Sequence, residues 1–198
     1  MPRAGLDADA VVAAAAAVAD ADGLDAVTLA RLAADLGVRA PSLYTHVAGL
    51  PDLRQRLAAR GARELAAALG AAAAGRSGSD ALAAVAAAYR AYAAQHPGTY
   101  AAAQRAQDLR EGDARAAAGA AVDIVVAVLR GYGLEGEEAI HATRIVRSAL
   151  HGFAALETDE GFGIPLDLDA TFARLVAVLD AGLGQLAKMG GGVAEDGQ

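Results

Sequence analysis

Arg39, Ser42, Tyr44, Thr45 and His46 stand close together in the stretch TLARLAADLGVRAPSLYTHV, Thr28 to Val47. A guanidinium can pair with both acceptors on the edge of a guanine, hydroxyls donate or accept, and a tyrosine phenol commonly bonds a phosphate oxygen. Helix N-termini at Thr28 and Pro41 would add backbone N–H groups for the same anions. Together these are the chemistry of a nucleic-acid reader. Other chemistries have less behind them. There is no cysteine, hence no thiolate nucleophile and no cysteine-ligated metal, and neither G-x-S-x-G nor a phosphate-binding P-loop occurs. Glu138 and His141 form a single E-x-x-H, whereas a carboxylate-bridged metal pair in a helical bundle needs two such motifs and two further glutamates. We expect no enzyme, no metal and no cofactor.

The elements that must carry those side chains are helices. Asp7 is a good N-cap for a first helix reaching about Asp20, with Val11, Val12, Ala15, Val18 and Ala19 along its buried side. Thr28 caps a second, with Leu29, Leu32, Ala33 and Leu36 at helical spacing, and Gly37 stands where a left-handed C-terminal turn needs it. Pro41 fits the first turn of a third, short helix anchored by Leu43 and Val47. Two helices joined across a glycine, the second too short to stand alone and polar outward, make a helix-turn-helix, whose second helix enters the major groove. The same pattern also fits an ordinary helical break with solvated polar residues. A fourth helix, about Pro51 to Ala72, carries arginines, and the small-residue run Gly70 to Asp80 marks a boundary. Helices then follow at about 80–95, 99–109, 113–132, 135–157 and 167–189. The expected fold is therefore all-α: an N-terminal helix-turn-helix head (1–72), a C-terminal helical bundle (73–190) and a disordered tail (191–198).

Composition agrees with this. Hydrophobic residues make up 55% of the 198 residues, but aromatics only 4%, because the apolar count is mostly alanine, the best helix former. No stretch alternates with period two, so no sheet is expected. The longest apolar region, near Ala116 to Leu129, contains Asp123 and falls short of the ~20 residues of a membrane span. With an acidic N-terminus unlike a secretory signal, the expectation is a soluble cytoplasmic protein with no membrane partner. Net charge is −7, yet Ala26 to Arg63 holds six arginines against two aspartates, which makes this segment the candidate for phosphate contact.

Beyond the head, Tyr89, Tyr92, His96, Tyr100 and Gln104 gather polar-tipped side chains on two adjoining helices. They suit an apolar cavity with a few orienting groups; they equally fit half-buried structural positions. On a later helix His141, Arg144, Ser148 and His151 share a face that an anionic ligand could use or that solvent could simply bathe. Phe172, Leu175, Val176, Leu179, Leu183 and Leu186 form one stripe on the last helix, suited to a four-helix interface between two copies or to packing within one chain.

The string from Thr28 to Val47 resembles the DNA-binding head of the TetR (tetracycline repressor-like) family of bacterial regulators, in which threonine opens helix two, LGV makes the turn and LYxHV ends helix three. YAAQHPGTY and RSALHGFAALETDEGFG resemble the C-terminal domain of one TetR branch, with its histidine-glycine pair at His151 and Gly152. The resemblance implies that Tyr44 and His46 contact the DNA backbone, that Arg39, Ala40, Pro41, Ser42 and Thr45 occupy base-reading positions, and that Leu43 is a core anchor. It implies a homodimer on a pseudo-palindromic double-stranded DNA operator and a small-molecule effector in the body. The expected function is a ligand-responsive repressor; the alternative is a helical adaptor or ligand-binding bundle without a DNA role. One departure stands out: many relatives carry a lysine beside a phosphate where this chain has Leu50, which shifts the expected backbone contacts to Arg54, Arg56 and Arg3.

Overall fold

The computed structural model describes residues 6–105 and 113–191. Arg3 and the expected tail beyond Gly191 lie outside them, as does the end of the helix expected to reach 109. All regular structure among the described residues is helical: α1 (Ala8–Asp22), a 3-10 turn (Leu24–Ala26), α2 (Leu29–Asp35), α3 (Ala40–Leu43), α4 (Leu50–Ala73), α5 (Gly78–Gln95), α6 (Pro97–Arg105), α7 (Asp113–Arg130), α8 (Gly136–Thr158) and α9 (Leu168–Gly191). Local signals set the ends. The Asp7 carboxylate accepts from the Ala10 amide at 2.7 Å, and the Thr28 hydroxyl accepts from Arg31 at 3.1 Å, each satisfying an amide that the first helical turn leaves open. The run 70–80 is less of a break than its composition suggests. Gly70 lies inside α4, and only residues 74–77 separate α4 from α5, because alanine on either side keeps the backbone helical past a single glycine.

The contacts divide the chain into two compact units, one of residues 1–65 with 95–118, the other of 66–94 with 119–198. A division at 72/73, as the sequence suggests, would leave α6 with the body; here α6 belongs with the head. Its physical reason is α6's seat on α1. A Cβ added at Gly98 would lie 2.0 Å from the Ala19 carbonyl oxygen, and one added at Gly61 of α4 would lie 2.5 Å from that of Thr99. Only glycine lets these backbones approach so closely. The Asp20 carboxylate then caps α6 from α1: one oxygen accepts from the Thr99 amide at 2.6 Å, and the other receives the Thr99 hydroxyl at 3.1 Å and lies 3.3 Å from His96 Nδ1. A carboxylate at the positive end of a helix is favoured by the helix dipole as well.

In the second unit the sequence-separated helices are joined by charge. Arg90 of α5 reaches both carboxylate oxygens of Glu157 on α8, at 2.5 and 2.8 Å, and Asp169 on α9 at 2.8 Å. Its guanidinium lies over Phe153 and Phe172, 5.3 and 4.9 Å from the ring centroids. The Tyr132 phenol donates to Asp180 at 2.5 Å; burial, first, and that carboxylate hold its pKa well above the usual tyrosine value. One further end is strained. After α8, Glu160 takes φ 53°, a left-handed turn residue that is ordinarily glycine. Glu160→Gly is expected to raise stability by about 0.5 to 1 kcal/mol, net of glycine's greater freedom when unfolded; an unchanged or lowered melting temperature would show that the turn carries no such strain.

Candidate nucleic-acid interface

The head's core is built of Val11, Val12, Ala15 and Val18 of α1 with Val27, Leu32, Leu43, Val47, Leu53 and Leu57, and Ala102 of α6 joins it. This core orients α3. Gly37 at φ 66° ends α2, with its amide on Ala34 at 3.1 Å and the Val38 amide on Ala33 at 2.9 Å, the paired closure in which a left-handed residue turns the chain sharply away. Arg39 then precedes α3, and Pro41 occupies its first turn, where the missing N–H costs nothing. Leu43 and Val47 are buried, with the Val47 amide on the Leu43 carbonyl at 3.0 Å.

With those two residues inward, the polar set faces out. Arg39, Pro41, Ser42 and Thr45 are exposed, Ala40 and His46 are half-buried, and Tyr44 is 61% exposed despite its size. The Thr45 hydroxyl donates to the Ser42 carbonyl at 2.7 Å, which fixes it at the end of the helix. Thr28 is exposed but already committed as the α2 cap. Arg39, Pro41, Ser42, Tyr44 and Thr45 are thus exposed on and beside α3, over the buried pair Leu43 and Val47.

Three of the six arginines between Ala26 and Arg63 lie on carboxylates. Arg31 is held by Asp35 at 2.8 Å and Asp22 at 3.1 Å, Arg56 by Asp52 at 3.0 Å and Arg60 by Glu64 at 2.8 Å. The side-chain hydrogen bond to Asp35 is the first cause of a raised Arg31 pKa. Arg39, Arg54 and Arg63 form no ion pair among the described residues. Leu50 packs against the head's core as a half-buried side chain, so the position where many relatives place a lysine is structural in this chain.

The candidate effector residues fall into three places. Tyr89 and Tyr92 are buried on α5 in the second unit, while buried Tyr100 and half-buried His96 and Gln104 belong to the first. His96 is drawn to Asp20, a contact 76 residues away in sequence, which gives it a part in seating α6. On α8, Arg144, His141 and Ser148 are exposed and His151 is half-buried. The stripe on α9 is divided: Phe172, Leu179 and Leu183 are buried within the chain, and Leu175, Val176 and Leu186 are partly so. Other apolar side chains stay open, among them Ile140, Ile145 and Leu156 of α8 and Val178 of α9. Whereas the longest apolar region expected from the sequence is Ala116–Leu129, among the described residues Leu168–Met189 of α9 is long and apolar enough to cross a membrane. Its Phe172, Leu179 and Leu183 are buried against the chain's own helices, and its Asp180 receives Tyr132.

Residues that the sequence did not single out are Asp20, Gly98, Asp52 and Arg90. Asp52 had a visible signal, an acid in the first turn of a helix; Asp20 and Arg90 act over 79 residues of chain and had none.

Residues 82–179 match a family model described as the tetracyclin repressor-like C-terminal domain. An HTH-type transcriptional regulator of Mycobacterium tuberculosis is 40% identical over 188 residues, covering 94% of this chain and 85% of its own. One from Bacillus subtilis is 40% identical over 164 residues, covering 81% and 84%. Among solved structures, a Rhodococcus protein superposes with a TM-score of 0.78 at 23% identity over 93% of this chain and 99% of that one. Apo ActR of Streptomyces coelicolor gives 0.72 at 20% identity over 94% and 99%; these two likenesses show the fold.

Proposed function

Because this chain belongs to the TetR (tetracycline repressor-like) family of ligand-responsive, DNA-binding transcriptional regulators, we propose that it is a repressor that a small molecule releases from its operator. The observation that carries the reading is the outward set on α3, Arg39, Ser42, Tyr44 and Thr45 over the buried pair Leu43 and Val47. Arg39, Ala40, Pro41, Ser42 and Thr45 face base edges, and Tyr44, His46 and the α2 start at Thr28 meet the backbone. The protein acts as a cytoplasmic homodimer. The exposed apolar residues of α8 and α9 support a second copy as the partner, since burying them against an identical face removes apolar area from water on both sides. Tyr89, Tyr92, His96, Tyr100, Gln104, Arg144 and His151 are the residues proposed for the effector. ActR, of the same fold, has been solved in complex with (S)-DNPA, which supports an organic molecule as the effector class. An effector that prefers the body conformation unsuited to the operator lowers DNA affinity by its differential binding energy, typically ~1 to 3 kcal/mol. No catalytic step is proposed for it.

The test begins with light scattering and sequence selection from a random duplex pool. A mass twice 19.7 kDa, with enrichment of an inverted repeat whose half-sites lie one helical turn apart, ~34 to 36 Å, or somewhat more, is expected. A monomer that enriches no sequence would end the reading. For the effector residues, Tyr92→Ala should weaken release by an inducer at nearly unchanged operator affinity; equal loss of DNA binding would make Tyr92 a core residue only.

A further inference from the structure

At the start of α4, one carboxylate engages two groups that bind phosphates elsewhere: a backbone amide and the Nε of a guanidinium. The Asp52 carboxylate accepts from the Ala48 amide at 2.8 Å, and both its oxygens lie 3.0 Å from Nε of Arg56. Backbone amides at a helix start and guanidinium groups are the usual partners of a DNA phosphate. Ala48 follows α3 after residues 44–47, three of which (Tyr44, Thr45 and His46) belong to the proposed DNA face, so the start of α4 adjoins that face in the chain. Leu50, between them, turns to the core and offers no charge. The same pairing recurs at Arg31, between Asp22 and Asp35, and at Arg60 with Glu64. The head has no lysine to make good the loss, since Lys188 is the only one in the chain, and the net charge is −7.

We propose that Asp52 is a specificity-determining residue: an internal anion that withholds Arg56 from DNA phosphates and so suppresses sequence-independent binding, leaving the operator to be chosen by α3. The inference rests on the DNA-binding reading above. Asp52 engages Arg56 through Nε alone, so a phosphate that reaches the terminal nitrogens meets beside them a carboxylate anchored to the Ala48 amide, whose negative charge offsets the attraction of the guanidinium. Because phosphate contacts carry affinity but no sequence information, removing them widens the gap between operator and bulk DNA.

The experiment uses the full-length protein and a random-sequence duplex of about three helical turns, titrated by fluorescence anisotropy at several salt concentrations. Asp52→Asn keeps an oxygen for the Ala48 amide and removes the charge. It should tighten random-DNA binding severalfold at low salt and steepen the log-log salt slope by about 0.9 per head. Adding Arg56→Gln should return the slope to the wild-type value, and Arg56→Gln alone should leave it unchanged, which needs no altered Asp52 to fold. Glu137→Gln, an exposed acid of α8, makes the same change in net charge in the second unit. A slope for Asp52→Asn equal to that of Glu137→Gln overturns the proposal. So does a steeper slope that survives Arg56→Gln, or a shallower one in Arg56→Gln alone. Failure of every protein to bind random DNA at the lowest salt, with no sequence enriched from the pool, overturns the DNA-binding reading and this inference with it.

Discussion

Gly98→Ala is expected to lower the melting temperature by about 10 °C. A methyl group at this position has nowhere to go: its carbon would stand 2.0 Å from the Ala19 carbonyl oxygen and 2.7 Å from the Asp20 nitrogen, and both are backbone atoms of a helix. Neither can rotate aside as a side chain would, so α6 must retreat from α1 and the Asp20 carboxylate loses the Thr99 amide it caps at 2.6 Å. Overpacking usually costs ~1 to 3 kcal/mol, and a forced backbone separation with a lost charged cap stands at the upper end or above it. For a chain of this length about 3 kcal/mol moves the midpoint by roughly 6 to 12 °C. The matching control is Gly119→Ala in α7, where an added Cβ meets nothing within 4 Å and alanine favours the helix by up to about 1 kcal/mol. The same substitution at two glycines should thus have opposite signs in a thermal melt. A Gly98→Ala protein that melts with the wild type would mean that α6 can withdraw at no cost and that its seat on α1 holds nothing.

Arg90→Met is the second large effect, expected at about 2 to 3 kcal/mol. Methionine keeps much of the stem volume and removes the fork that binds Glu157 through both oxygens. Arg90 and Glu157 side chains are 20% and 23% exposed, so the surviving carboxylate loses its partner in a place where water reaches it only in part. Breaking a fully buried pair costs ~3 to 5 kcal/mol, and partial exposure sets this one lower. The guanidinium stacked on Phe153 and Phe172 adds ~0.5 to 2 kcal/mol of cation–π attraction to what is lost. Asp169 contributes little, being 85% exposed, and Asp169→Asn should change stability by under about 0.5 kcal/mol. Combining Arg90→Met with Glu157→Gln should recover part of the loss, because the stranded charge is gone. Denaturant titration of the wild type, Arg90→Met, Glu157→Gln and the double variant decides the matter, and additivity of the two changes would show that the pair is not coupled.

The helix-turn-helix was legible because each of its signals is local. Thr28 caps within three residues, Gly37 closes α2 at a left-handed φ, and Pro41 starts α3, so the outward set on α3 follows from the inward pair Leu43 and Val47. The pairing of the head's arginines was less legible. Arginines at 31, 56 and 60 read as available cations, and only the folded chain shows each lying on a carboxylate four residues away; that spacing was in the sequence, but whether such side chains meet depends on rotamers. The arrangement of α6 was not legible at all. Residues 97–105 look like one more body helix, and their place beside α1 depends on a carboxylate at 20 meeting an amide at 99. The run from 70 to 80 is legible only in part: alanine and glycine in mixture suit a continuing helix as well as a linker, and the break between α4 and α5 is confined to residues 74–77.

The seating of α6 bears on how such proteins can be shuffled by recombination. A gene fusion that joined residues 1–72 to an unrelated body would inherit α1 with its Asp20 carboxylate facing no amide, and with Ala19 and Ala102's share of the head's core laid open to water. The reading head of this chain is therefore not a cassette. Whatever body it is exchanged onto must bring a helix that begins with a proline, a glycine and a hydrogen-bond donor in the places of Pro97, Gly98 and Thr99. Lineages that swap heads are expected to carry both pieces across together or to lose the joint.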